Sequence, residues 1–124
     1  MISIDEMEVI LEEIVHSIPK EVFKGLNGGV LLLPETKLNP MSLANDLYIM
    51  GEYHHGGVLG RYITLYYGSF KQVYGNLSKD QLSEKLMATV KHELVHHLET
   101  MAGERDLEYE DAAFMEDYFK KHGL

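Results

Sequence analysis

Residues 90–106 have the sequence VKHELVHHLETMAGERD, and the candidate chemistry of the chain is concentrated in two of its histidines. His92 and His96 are four residues apart, so on an α-helix they lie one turn apart on the same side and can reach one metal ion. Glu93 directly follows the first histidine. In zinc hydrolases of the H-E-x-x-H type, this glutamate is the general base for a zinc-activated water and not a ligand. The stretch therefore predicts His92 and His96 as metal ligands and Glu93 as the catalytic base.

A long helix is predicted to carry this motif. Ser78 and Gln81 have the spacing of a capping box. The apolar residues that follow recur at helical spacing, and they are Leu82, Leu86, Met87, Val90, Leu94, Val95 and Leu98. The pattern predicts one helix over residues 79–102, closed by Gly103, with both motif histidines pointing away from the apolar arc. The alternative explanation is an ordinary amphipathic helix with histidines on its polar face.

The third ligand is less sharply indicated by the sequence. A catalytic zinc site normally has three protein ligands and one open position. Asp106 follows Gly103 by three residues, which is the relative spacing of the metzincin extension of the motif, although both come about one helical turn later. Glu99 is the alternative, either as a ligand or as a hydrogen-bond partner of a histidine. We predict a zinc site with His92, His96 and Asp106 as ligands, and Glu99 as the alternative third ligand.

Composition restricts the class of protein. The 124 residues are 45% hydrophobic, contain no cysteine and carry a formal net charge of -9. One domain over residues 1–124 is expected, without disulfides and with neither nucleic acid nor a membrane as partner. The first residues include Asp5 and Glu6, where a signal peptide would be basic, so a cytoplasmic location is expected.

The rest of the chain alternates helix and strand patterns. The strand predicted over residues 61–67 could present an edge to an extended peptide by strand addition. His54 and His55, in a turn before two glycines, could supply a ligand or a transition-state donor, the alternative being an exposed loop tip. Helices are predicted over residues 4–18 and 20–26, and strands over 30–33, 47–53 and 61–67.

Most of the chain resembles the small bacterial zincin-like metallopeptidase family, loosely in the N-terminal helix and most specifically from Tyr62 to Asp111. The resemblance rests on a helix bearing HELVHH at residues 92–97, preceded by segments such as 47–53 and 62–66. It implies an α+β, minimal zincin-like fold, with a small mixed sheet packed against the N-terminal helix and the long motif helix. This chain departs from the family pattern by placing LETMA, residues 98–102, before its glycine.

Two functions from different classes are compatible with these residues. The first is a zinc metallopeptidase, with Zn2+ as cofactor, a peptide or protein as substrate and Glu93 as general base. The second is a non-catalytic interaction or regulatory protein that retains the zincin fold. An open coordination position with exchangeable water would distinguish the enzyme, because a closed four-ligand site is typical of a structural metal.

Overall fold

The computed structural model describes residues 1–103, which fold as an α+β domain. The α+β class predicted from the sequence is confirmed at that level. No helix in residues 1–103 has both the length and the apolar character needed to cross a membrane. The helices are α1 (Ile4–Ser17), α2 (Tyr67–Tyr74) and α3 (Lys79–Gly103), the strands are β1 (Gly29–Leu33), β2 (Lys37–Leu38), β3 (Tyr48–Ile49), β4 (Gly51–His54) and β5 (Tyr62–Tyr66), and a short 3-10 helix covers Lys20–Phe23.

The main sheet is mixed, with the strand order β1-β5-β4. Strand β1 runs parallel to β5, with Gly29 opposite Tyr62, whereas β4 runs antiparallel to β5, with Gly51 opposite Leu65. Strands β2 and β3 form a separate antiparallel pair. The predicted edge at residues 61–67 is therefore wrong, because β5 is the central strand. In the described part of the chain, β4 is the edge strand beside α3.

The core lies where α3 packs on the sheet and on α1. Helix α3 contacts β4, β5 and α1. Ile63 and Leu65 of β5 are fully buried, as are Val90 and Leu94 of α3. Burial of these side chains fixes the rotation of α3 about its axis, because its apolar arc must face the sheet and α1. The opposite face, with His92 and His96, is left exposed.

Two local differences from the sequence prediction affect the site. The predicted strand over residues 47–53 is divided at Met50 into β3 and β4. The predicted strand over 61–67 stops at Tyr66, and α2 begins at once. The Gly68 N–H donates to the Glu35 carbonyl at 3.1 Å, and a Cβ at residue 68 would collide with Thr36. Only glycine at residue 68 permits this close approach to the backbone of Glu35 and Thr36. The approach occurs where the chain leaves β5 and enters α2.

Candidate metal centre

The two motif histidines converge on one point. Their Nε2 atoms are 3.3 Å apart, and the ring planes are almost perpendicular, at 89°. Two nitrogen ligands at about 2.0–2.1 Å from a tetrahedral zinc ion would be about 3.3–3.4 Å from each other. Both side chains are exposed on the outer face of α3, so a cation could reach them from solvent. The pair therefore fits two positions of a zinc coordination shell.

Glu93 lies beside this pair but is buried, with 7% of its surface exposed. Burial, and to a smaller extent the negative charge of Glu52, raise the pKa of its carboxyl to about 7, against a hydrogen bond from the Tyr53 backbone that lowers it. A carboxyl with a pKa near neutrality can both accept and return a proton, as a general base must. A cation held by the histidines would favour its charged form.

The burial of Glu93 predicts a stability effect in metal-free protein. The pKa of Glu93 is about 7 in the folded chain against an ordinary value of 4.5, so between these values the folded chain holds a proton that the unfolded chain has lost. The free energy of unfolding should therefore fall as pH rises through this interval. Urea unfolding with chelator present should show Glu93→Gln more stable than wild type by about 1–3 kcal/mol at about pH 8. At about pH 4 the two should be equal, and an equal difference at both pH values would contradict the prediction.

His97, next to the second ligand candidate, ties α3 to β4. It is fully buried, with Nε2 2.8 Å from the Lys24 carbonyl oxygen and Nδ1 2.8 Å from the Tyr53 hydroxyl. A carbonyl oxygen can only accept, so Nε2 carries a proton and donates it to the Lys24 carbonyl. Both ring nitrogens of His97 are engaged by other groups, so it cannot join His92 in a chelate. This contact positions the strand residue whose backbone bonds to Glu93.

The two candidates for the third ligand are Glu99 and Asp106, and of these Glu99 lies next to His96. Glu99 Oε2 is 3.9 Å from His96 Nδ1, on the ring atom that faces away from the shared point of the two Nε2 atoms. That placement suits a partner that orients the ring. Asp106 lies outside the described residues. Within residues 1–103, no three or more His, Cys, Asp or Glu side chains form a group that could hold a metal ion.

Of the two histidines predicted in a turn, His54 is the last residue of β4 and His55 follows the strand. His54 Nε2 is 2.9 Å from the Thr64 hydroxyl, and its ring stacks on Tyr62 with a centroid distance of 4.5 Å. His55 stacks on Tyr53 and lines the cleft that contains Glu93. Only His55 of the two therefore faces the candidate centre.

Two clefts lie on either side of Glu93, between α3 and the β3–β4 segment. The first, which we call the acidic cleft, has a volume of about 650 Å³. The second, the apolar cleft, has a volume of about 510 Å³. Gly51 and Glu93 belong to both, whereas His96 lines the first and His92 the second. The acidic cleft is otherwise lined by Glu52, Tyr53, His55, Glu99 and Thr100, and the apolar cleft by Ile49, Met50, Tyr74, Lys85, Ala88 and Thr89.

Glu52 is held in the wall of the acidic cleft by a polar network that sequence reasoning missed. Its carboxylate accepts from the Lys37 ammonium and, at 2.6 Å, from the Tyr66 hydroxyl. Tyr66 in turn accepts from Thr64 at 3.0 Å. These partners lower the pKa of Glu52 against the opposing effect of burial. Glu52 therefore stays charged beside Glu93, and its partners come from two other strands, β2 and β5, whose proximity to β4 no local pattern reveals.

Comparison with known proteins finds a relative among solved structures. No model of a known protein family matches the sequence, and no curated protein matches it either. Among solved structures, the chain is similar to a conserved hypothetical protein from Thermo thermophilus, with 32% sequence identity and a TM-score of 0.73. The match covers 82% of this chain and 99% of that protein.

These findings correct the family suggested by the sequence. The resemblance to the small bacterial zincin-like metallopeptidase family is wrong as an assignment, because no family model matches and the solved relative is described only as a conserved hypothetical protein. The described residues also contain no group of three metal-ligating side chains, which such a family would require. A function must therefore be argued from the side chains around Glu93 themselves.

Proposed function

We propose that this chain, which belongs to the same family as the conserved hypothetical protein from Thermo thermophilus, is a zinc-dependent hydrolase of peptide bonds. One observation carries the proposal: the Nε2 atoms of His92 and His96 are 3.3 Å apart on the exposed face of α3, with the buried carboxyl of Glu93 beside them. Two imidazoles at the separation of a chelate and an adjacent acid are the parts of a metal-assisted hydrolase.

The chain's own residues have distinct roles in this proposal. Zinc, when bound, would supply a Lewis acid that polarises the peptide carbonyl and makes a water molecule more acidic. His92 and His96 would hold it, and Glu99 would orient the His96 ring through Nδ1. Glu93 would take the proton of the attacking water and deliver it to the leaving amine. The hydrogen bond from the Tyr53 backbone fixes the Glu93 carboxyl for this transfer.

The edge of β4 offers a docking site for the substrate backbone. The Met50 carbonyl accepts from the Tyr66 N–H at 3.0 Å, so the chain points its polar groups toward β5 at that residue. Successive residues of a strand alternate in this respect, so Gly51 directs its polar groups away from β5 and toward the clefts, whereas the backbone of Tyr53 on the same side already bonds to Glu93. An extended peptide could add there by strand pairing, with its scissile bond beside Glu93.

Removal and return of the metal test the proposal. Untagged protein with stoichiometric zinc should cleave members of a fluorogenic peptide library, lose that activity with a chelator and recover it when zinc alone is returned. We expect chelation to remove at least about 99% of the rate, because each role of the metal contributes several kcal/mol. Zinc-loaded protein that cleaves no peptide faster than zinc in buffer would contradict the proposal and favour the interaction-protein alternative.

A further inference from the structure

We infer that the site selects its peptide by charge, accepting a lysine or arginine side chain in the acidic cleft on the His96 side and an apolar side chain in the apolar cleft on the His92 side. The inference deepens the proposed function by naming a substrate class, and it rests on that function for the peptide's position. It can be tested by binding alone, without catalysis.

The acidic cleft is suited to a cationic side chain. Glu52 and Glu99 line this cleft and not the other, Glu93 lines both, and no lysine or arginine of residues 1–103 lines it. The carboxylate of Glu52 is fixed by Lys37 and Tyr66. Glu99 is the most exposed of the three glutamates, with 57% of its side chain accessible to solvent. The long apolar stem of a lysine or arginine could pack on the stacked rings of Tyr53 and His55.

The apolar cleft differs in charge, because the shared Glu93 is the one carboxyl among its lining residues in the described part of the chain. Ile49, Met50 and Ala88 give it apolar walls. Its cationic side chain is Lys85, whose ammonium lies 5.6 Å from the centre of the Tyr74 ring. A second basic side chain of the substrate would be repelled there, whereas an apolar one would be buried. The two clefts therefore set a direction as well as a composition for the bound peptide.

The net charge of the whole chain also favours binding of a cationic peptide. A formal net charge of -9 attracts cationic peptides over distances of about a Debye length. That general attraction alone would not depend on which carboxylate is changed. A contribution from the acidic cleft must instead depend on Glu99, so substitutions of equal charge at two sites separate the two effects.

Fluorescence anisotropy of labelled peptides with metal-free, full-length protein tests the inference. The two peptides have the same apolar residues and differ in a single central lysine or glutamate. We expect the lysine peptide to bind at least about tenfold more tightly, a difference of about 1.4 kcal/mol. Glu99→Lys should abolish or invert this preference, and Glu99→Gln should give an intermediate value. Lys85→Glu should specifically improve binding of a peptide with a second lysine on the other side of the centre.

Glu84→Lys is the matched control, because Glu84 is exposed on the same helix but lines neither cleft. Its preference should stay close to that of wild type. Equal binding of the two peptides, or equal losses in Glu84→Lys and Glu99→Lys, would overturn the inference. Zinc-dependent cleavage without charge preference would retain the proposed function and reject this inference. Selective binding that depends on Glu99, without zinc-dependent cleavage, would support this inference and reject the proposed function.

Discussion

Replacing His92 or His96 with alanine is expected to remove stoichiometric zinc binding from protein purified without a histidine tag. The two Nε2 atoms are 3.3 Å apart, so each variant leaves one imidazole where two had shared the ion. Structural zinc sites bind with about 10–16 kcal/mol over four ligands, so one ligand is worth about 3 kcal/mol and its loss lowers affinity on the order of a hundredfold or more. Competition with a zinc-chelating dye would measure the change.

His16→Ala is the control for this measurement, because His16 is exposed on α1 and has no histidine four residues away. It should bind zinc as wild type does. Asp106→Ala extends the experiment to the third ligand predicted from the sequence. Weakening in that variant would identify the carboxylate, and no change would return attention to Glu99. If wild type binds no more zinc than His96→Ala, the 3.3 Å contact is a hydrogen bond between two rings and the metal site is refuted.

The motif helix could be predicted because its signals are local. Ser78 and Gln81 form both hydrogen bonds of the capping box, at 3.1 and 3.2 Å, and α3 extends from Lys79 to Gly103 against a predicted 79–102. Apolar periodicity then fixed which face is buried. A spacing of four residues on a known helix is sufficient to place two histidines together, because helical geometry is the same everywhere.

The surroundings of that pair depend on contacts between distant residues, and local patterns do not encode them. Tyr53 and His97 are 44 positions apart, and their hydrogen bond requires β4 to lie beside α3. The sequence suggested an edge at β5 because alternation shows that a strand exists but not which strands flank it. Amphipathic periodicity also gives no sign that the polar residues Glu93 and His97 of this helix are buried. Both buried polar side chains are retained by partners on other elements.

Glu93→Gln is expected to lower the rate of peptide hydrolysis about 10²–10⁴-fold while leaving zinc affinity nearly unchanged. Glutamine retains the shape of glutamate and can keep a hydrogen bond to the Tyr53 backbone, but it cannot take a proton from water. The loss should appear in kcat, because proton transfer belongs to the chemical step. Steady-state kinetics of the zinc-loaded variant, with zinc content determined on the same sample, would measure it.

The stability effect of this substitution removes the usual ambiguity of an inactive variant. Since the burial of Glu93 disfavours its charged form, Glu93→Gln should be at least as stable as wild type at neutral pH in metal-free protein, so unfolding cannot account for lost activity. Glu84→Gln, a neutralisation at an exposed position of the same helix, should retain the wild-type rate. A fully active Glu93→Gln protein would exclude this carboxyl as the base. A variant that loses zinc together with activity would instead make Glu93 a ligand, contrary to the role assigned by its position between the two histidines.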